Sequence, residues 1–136
     1  MRVWLLDTGP LVAYLDARDP AHEAAVGRLD EFSGRLCTTS AVITEAMHFA
    51  AAHPDGPAML AEFVHASGML VYECAQPRQL VQGAMLMRKY ANIPMDFADA
   101  TLVLLAQDLK VAQIATLDRR GFSSYRTARG KAFEIM

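Results

Sequence analysis

Cysteine is nearly missing from this sequence: Cys37 and Cys74 are the only two in 136 residues. Both fall in apolar, strand-like runs and neither belongs to a C-x-x-C pair, so no disulfide framework organises the chain and buried free thiols are expected. The four histidines, His22, His48, His53 and His65, show neither HxH nor HExxH spacing, which argues against a zinc site. Long hydrophobic runs are also lacking. The longest apolar stretch, near Leu102 to Ala106, falls far short of the roughly 20 residues that a membrane span needs. At the amino terminus Asp7 interrupts the apolar run after Leu6, too early for the core of a signal peptide. A cytoplasmic protein with no membrane association is therefore the expectation. There is no glycine-rich phosphate loop, internal repeat, low-complexity tract or linker.

What is present describes a compact globule. Hydrophobic residues make up 53% and charged residues 21%, with eight glycines and six prolines, which excludes disorder. A chain of 136 residues fits one domain, 1–136, that buries roughly two-thirds of its unfolded surface. The net charge of −2 hides an asymmetry. Between Arg119 and Lys131 stand five basic residues and no acid, so this stretch carries +5 against −7 for the remainder. Such a stretch suits either a phosphate backbone or an ordinary solvated surface.

Strands and helices alternate along the chain. Val3 to Leu6 is apolar on both faces, as a strand buried inside a parallel sheet is. Asp7-Thr8-Gly9-Pro10 turns the chain, with Pro10 suited to the first position of a helix through Leu15. Asp19 or Pro20 opens a second helix to about Phe32; Leu36 to Thr39 forms the second strand, and Ser40 caps a helix to about Ala52. His53-Pro54-Asp55-Gly56-Pro57 breaks the chain before a helix ending near Ala66. A third strand covers Met69 to Tyr72, and Pro77 starts a helix with Leu80, Ala84 and Met87 at helical spacing. The next helix carries Ala98, Leu102, Leu105 and Leu109 on one face; Val111 to Leu117 is the fourth strand and Ala132 to Ile135 a short fifth. This alternation predicts an α/β fold with a parallel sheet between helical layers and right-handed crossovers.

Four acids stand where an apolar strand-like run gives way to a turn or a helix start: Asp7, Glu45, Asp99 and Asp118. Each has an ordinary explanation when taken singly. Asp7 and Asp118 suit turns, and Glu45 complements a helix dipole. Asp96 and Asp99, three apart at a helix start, fit a cap and a dipole partner. Yet the carboxyl ends of strands in an open α/β sheet line one crevice, so all of these acids can meet there. Carboxylates crowded into one crevice repel unless a cation sits among them, and oxygen-only ligands suit Mg²⁺ or Mn²⁺.

The motifs Leu6-Asp7-Thr8, Ser40-Ala41-Val42-Ile43-Thr44-Glu45, Met95-Asp96-Phe97-Ala98-Asp99-Ala100 and Ala115-Thr116-Leu117-Asp118-Arg119-Arg120 with Phe122 run through essentially the whole chain. In order and spacing they resemble the PIN-domain nucleases, especially the VapC-like toxins of toxin–antitoxin pairs. The resemblance implies a three-layer α/β/α fold with a central parallel sheet of four to five strands. It also implies Mg²⁺- or Mn²⁺-dependent hydrolysis of RNA. By motif, Asp7, Glu45, Asp99 and Asp118 are the catalytic acids with Asp96 beside them, and Asp7, Asp96, Asp99 and Asp118 are the metal ligands. Thr8, Ser40 and Thr116 match the polar residues that support them, and Arg119, Arg120 and Arg18 are candidates for phosphate contacts. The resemblance further implies a homodimer and a cognate antitoxin protein.

Other folds with an acidic sheet edge fit less well. A phosphorylated receiver needs an acidic pair after the first strand, and a haloacid-dehalogenase phosphatase needs Asp-x-Asp there; this chain offers Asp7 alone, with Gly9 two residues on. The remaining alternative is a catalytically silent PIN-like module that binds RNA or a protein partner.

Overall fold

A computed structural model describes residues 1–136. In chain order the elements are β1 (Val3–Leu6), α1 (Thr8–Leu15), α2 (His22–Glu31), β2 (Arg35–Thr39), α3 (Ser40–Ala50), α4 (Gly56–Ser67), β3 (Leu70–Tyr72), α5 (Pro77–Lys89), α6 (Phe97–Leu109), β4 (Gln113–Ala115), α7 (Arg119–Ser124) and β5 (Glu134–Ile135). The five strands form one sheet in the order β3-β2-β1-β4-β5, and every pairing is parallel.

Side-chain alternation along the strands splits the core in two. Leu5 pairs in register with Cys37 and with Ile114, and all three belong to one cluster, with Val42, Leu102, Phe122 and Tyr125. Trp4, Leu6, Leu36 and Ala115 face the other way, into a cluster with Leu11, Leu29, Ala46 and Leu60. Helix α6 supplies seven buried residues to the first cluster's side, including Ala98, Ala100 and Ala106, whose small side chains let the helix lie close to the sheet. Each cluster combines strand and helix residues, so each sheet face is covered by helices, as an all-parallel sheet requires.

The chain passes from β1 outward to β2 and β3, then returns to the other side of β1 for β4 and β5. The order therefore reverses beside β1, and a crevice opens at the carboxyl ends of the strands at that point. No helix is long and apolar enough to cross a membrane.

Several boundaries differ from the sequence expectation, for local reasons. Helix α1 begins at Thr8 because the Asp7 carboxylate accepts the Thr8 N–H at 2.8 Å, which leaves Pro10 third in the helix. Thr39, not Ser40, caps α3, its hydroxyl accepting the Val42 N–H at 3.3 Å. Helix α2 starts at His22, after Asp19 has turned the chain by accepting the Ala21 N–H. The fourth strand is only Gln113–Ala115, since Thr116 and Asp118 are diverted into the crevice. The expected turn at Asp118 is the start of helix α7. On α5, Leu80 and Ala84 are exposed, and the helix meets α6 through Gly83, where an added Cβ would press against the Phe97 ring.

Candidate active site

Asp7 lies at the end of the central strand and is 7% exposed. Its Oδ1 accepts the Thr8 N–H at 2.8 Å and its Oδ2 accepts the Thr116 hydroxyl at 2.7 Å. The Thr116 oxygen in turn accepts the Asp118 N–H at 2.9 Å, so the end of β4 fixes Asp7 and orients the following acid together. Burial pushes the Asp7 carboxyl up to about 6; the bonds from Thr116 and Thr8 oppose this, and the fields of Asp96 and Glu45 add to it.

Helix α6 brings the next two acids. Asp96 is its N-cap and Asp99 its third residue, and each carboxylate accepts the other's backbone N–H, at 2.8 and 3.1 Å. This reciprocal cap holds two carboxylates at one helix end. Burial, and next the Asp96 charge, push Asp99 up to about 8. Asp118 caps α7 through the Gly121 N–H at 3.0 Å. Gly121 is required there: a Cβ would collide with Asp118 Oδ2 and stand 2.9 Å from the Tyr125 hydroxyl. Tyr125 donates that hydroxyl to Pro94 O at 3.1 Å, and its phenol is pushed up by burial and then by Asp99, Asp118 and Asp96. Glu45, half-buried on α3, is the one acid of the five whose carboxylate takes part in no hydrogen bond.

All five predicted acids line one open crevice, with Thr8, Gly9, Val12, Phe49 and Leu117. A sixth acid, Asp19, shares the crevice. In the sequence it reads as a helix starter, and only the path of the α1–α2 connection reveals its second position. Thr101 was also missed. Thr101 donates to Ala98 O at 2.7 Å, so the 2.8 Å bond between the two threonine hydroxyls takes its proton from Thr39. The relay Val42 N–H to Thr39 to Thr101 to Ala98 O ties the start of α3 to the start of α6. It thereby links the two helices that carry Glu45 and Asp99.

Not every expected residue joins the site. Ser40 turns its hydroxyl to Cys74 Sγ, 3.2 Å away, and does not line the crevice. Arg18 pairs with Asp16 at 3.1 Å beside a neighbouring apolar cavity. Arg119 and Arg120 are exposed on the first turn of α7, directly after Asp118.

The donor set is oxygen-only: carboxylates plus the buried Thr8 hydroxyl, whose oxygen has no hydrogen-bond partner. No three acids close on a single ready-made ligand position. They ring the crevice, and two of them hold protons well above the usual carboxylate range. The chemistry of these donors fits a hard divalent cation, which would relieve their mutual repulsion.

A family model of the PIN domain matches residues 4–128. Ribonuclease VapC26 of Mycobacterium tuberculosis (strain ATCC 25618 / H37Rv) is 31% identical over 134 residues, covering 97% of this chain and 98% of its own length. Among solved structures, Mycobacterium tuberculosis VapC20, described as a Sarcin-Ricin loop cleaving toxin, superposes with a TM-score of 0.76 at 15% identity, covering 91% of this chain and 96% of its own.

Proposed function

The chain belongs to the PIN-domain family, and from that premise we propose that it is a metal-dependent endoribonuclease, the toxin of a toxin–antitoxin pair. The observation that carries this reading is the convergence of five acids from four separate segments on one crevice, with Asp7 held in it by Thr116. A structural role for these acids accounts for each cap but not for their meeting, which leaves two carboxyls costly to ionise.

Asp7, Asp96, Asp99 and Asp118 would hold the cation, Mg²⁺ or Mn²⁺, with the Thr8 hydroxyl beside them. When bound, such an ion lowers the pKa of water and neutralises charge on a phosphodiester. Thr116 and the Thr8 N–H hold the Asp7 carboxylate in one orientation. The reciprocal cap does the same for Asp96 and Asp99. Glu45, free of internal bonds, accepts the proton of the attacking water. The exposed guanidinium groups of Arg119 and Arg120 bind phosphate next to the cut. No covalent intermediate is required.

The partners follow from the same reading: an RNA substrate, a cognate antitoxin and a second copy of the chain. Leu80, Val81 and Met85 form an exposed apolar patch on α5 that supports dimerisation. An apolar cavity lined by Leu11, Leu15, Phe49 and Met59 adjoins the crevice, sharing Val12 and Phe49 with it, which supports a protein partner next to the acids.

Purified protein incubated with RNA is expected to cleave it in Mn²⁺ or Mg²⁺ and to stop completely in excess EDTA. Cleavage that continues in EDTA would overturn the metal-dependent reading. Binding without cleavage in either metal would instead identify a silent RNA-binding module.

A further inference from the structure

Helix α5 and the loop after it, residues 77–95, contain Arg78, Arg88 and Lys89 and no acid. The stretch from Arg119 to Lys131 contains five more cations and again no acid. These two segments hold eight of the chain's thirteen basic residues and none of its fifteen acids. They are far apart in sequence, but the fold joins them. The Tyr90 and Tyr125 rings meet edge to face at 5.0 Å, and the Tyr90 hydroxyl accepts the Arg126 N–H at 3.0 Å. The Lys89 ammonium lies 5.4 Å from the Tyr90 ring. Arg126 is anchored on the Ser123 and Tyr125 carbonyls, and Arg88, Lys89, Arg129 and Lys131 are exposed. Arg78 stands at the other end of α5 and takes no part.

From beneath these two segments the buried Tyr125 reaches the wall of the crevice. Tyr125 donates to Pro94 O, two residues before Asp96, and its hydroxyl packs over Gly121 beside the Asp118 carboxylate. Beneath the surface, the buried Tyr125 and the half-buried Tyr90 thus tie the Asp118 end of α7 to the Lys89 end of α5. The acids of the crevice repel a polyanion, so a substrate phosphate held there needs cations flanking it.

We infer that the surface running from Arg119, over the buried Tyr125 and past Arg126, to Arg88 and Lys89 is the track for the RNA backbone on one side of the scissile phosphate. The inference rests on the ribonuclease reading and extends it from the cut to the strand leading away from it. An acidic protein segment would meet the same charges, but it has no phosphate to continue into the carboxylate site.

The test is equilibrium binding of a single-stranded RNA oligonucleotide in EDTA, titrated with salt, for the wild type, Arg88→Gln/Lys89→Gln, and the control Arg28→Gln/Arg35→Gln. Arg35 opens β2 at the edge opposite the crevice, and Arg28 lies in the last turn of α2. Losing two phosphate contacts from single-stranded RNA should flatten the slope of log affinity against log salt by about 1.4. The control should keep the wild-type slope, and both variants should keep the Mg²⁺-induced melting shift. An unchanged slope in Arg88→Gln/Lys89→Gln overturns the track, as does an equal loss in the control. Reduced binding of polyglutamate together with unchanged RNA binding assigns the face to an acidic protein and also overturns it. Because cleavage plays no part in the measurement, failure here is separable from failure of wild-type cleavage in Mn²⁺.

Discussion

Asp96 and Asp99 illustrate how one side chain serves fold and chemistry at once. Each caps the other's backbone, so substitution by Asn keeps an oxygen in place to accept the N–H. The two differ in surroundings: Asp96 is exposed, whereas burial and the Asp96 charge raise Asp99 to about 8. Asp99→Asn removes a carboxyl that resists ionisation, so metal-free protein should melt no lower than wild type. It should cleave no RNA, and Mg²⁺ should raise its melting temperature less. Asp96→Asn should show a milder form of the same loss. Cleavage assays and melts with and without Mg²⁺ read both outcomes, and an active Asp99→Asn with a full metal shift would dissolve the shared site. These acids were legible in the sequence because strand ends and helix starts have local signatures. Asp19 was not, since its turn signal is real and says nothing about which cavity the turn borders. Ser40 was misplaced because the step from strand to helix comes one residue earlier, at Thr39, and turns its hydroxyl toward Cys74.

Among elements, the two helix starts that face the crevice are locked by the Thr39–Thr101 hydroxyl pair. Both residues are 1% exposed. Thr101→Val keeps the shape but strands the Thr39 proton, at a cost of roughly 1–3 kcal/mol. Since the relay links α3 to α6, the variant should also lose part of its Mg²⁺-induced melting shift, and Thr101→Ser should restore both. A stability loss with an intact metal shift would leave the pair a purely structural feature. Element types were readable because buried parallel strands and amphipathic helices differ in period; element ends were less so. The run Val111 to Leu117 looks like one strand by composition, yet only three residues pair, because Thr116 is taken by Asp7. On α5 the periodic Leu80 and Ala84 remain exposed, and contact with α6 falls on Gly83. Periodicity shows that a helix has an apolar side and cannot show which side a neighbour covers.

For the whole molecule, the joining of two acid-free segments through Tyr90 and Tyr125 was invisible in sequence, because contacts between distant segments leave no local period. The sheet order that gathers the acids has a consequence that bulk measurements can read. Asp7 rises from 3.8 to about 6 and Asp99 from 3.8 to about 8 on folding, so the folded chain keeps these protons to higher pH than the unfolded chain. Where the native state binds more protons, stability falls as pH rises. The loss from these two groups begins above about pH 4, is complete for Asp7 somewhat above 6, and continues for Asp99 to above 8. A bound cation needs the ionised carboxylates, so its contribution grows over the same window and opposes the fall. Denaturant unfolding at pH 5 and pH 8 should therefore show a pH-dependent loss in EDTA that saturating Mg²⁺ reduces or reverses. In Asp7→Asn/Asp99→Asn the EDTA and Mg²⁺ profiles should run nearly parallel. Parallel profiles in the wild type would mean that the crevice acids do not exchange their protons for a cation, and a flat profile in EDTA that they do not hold these protons.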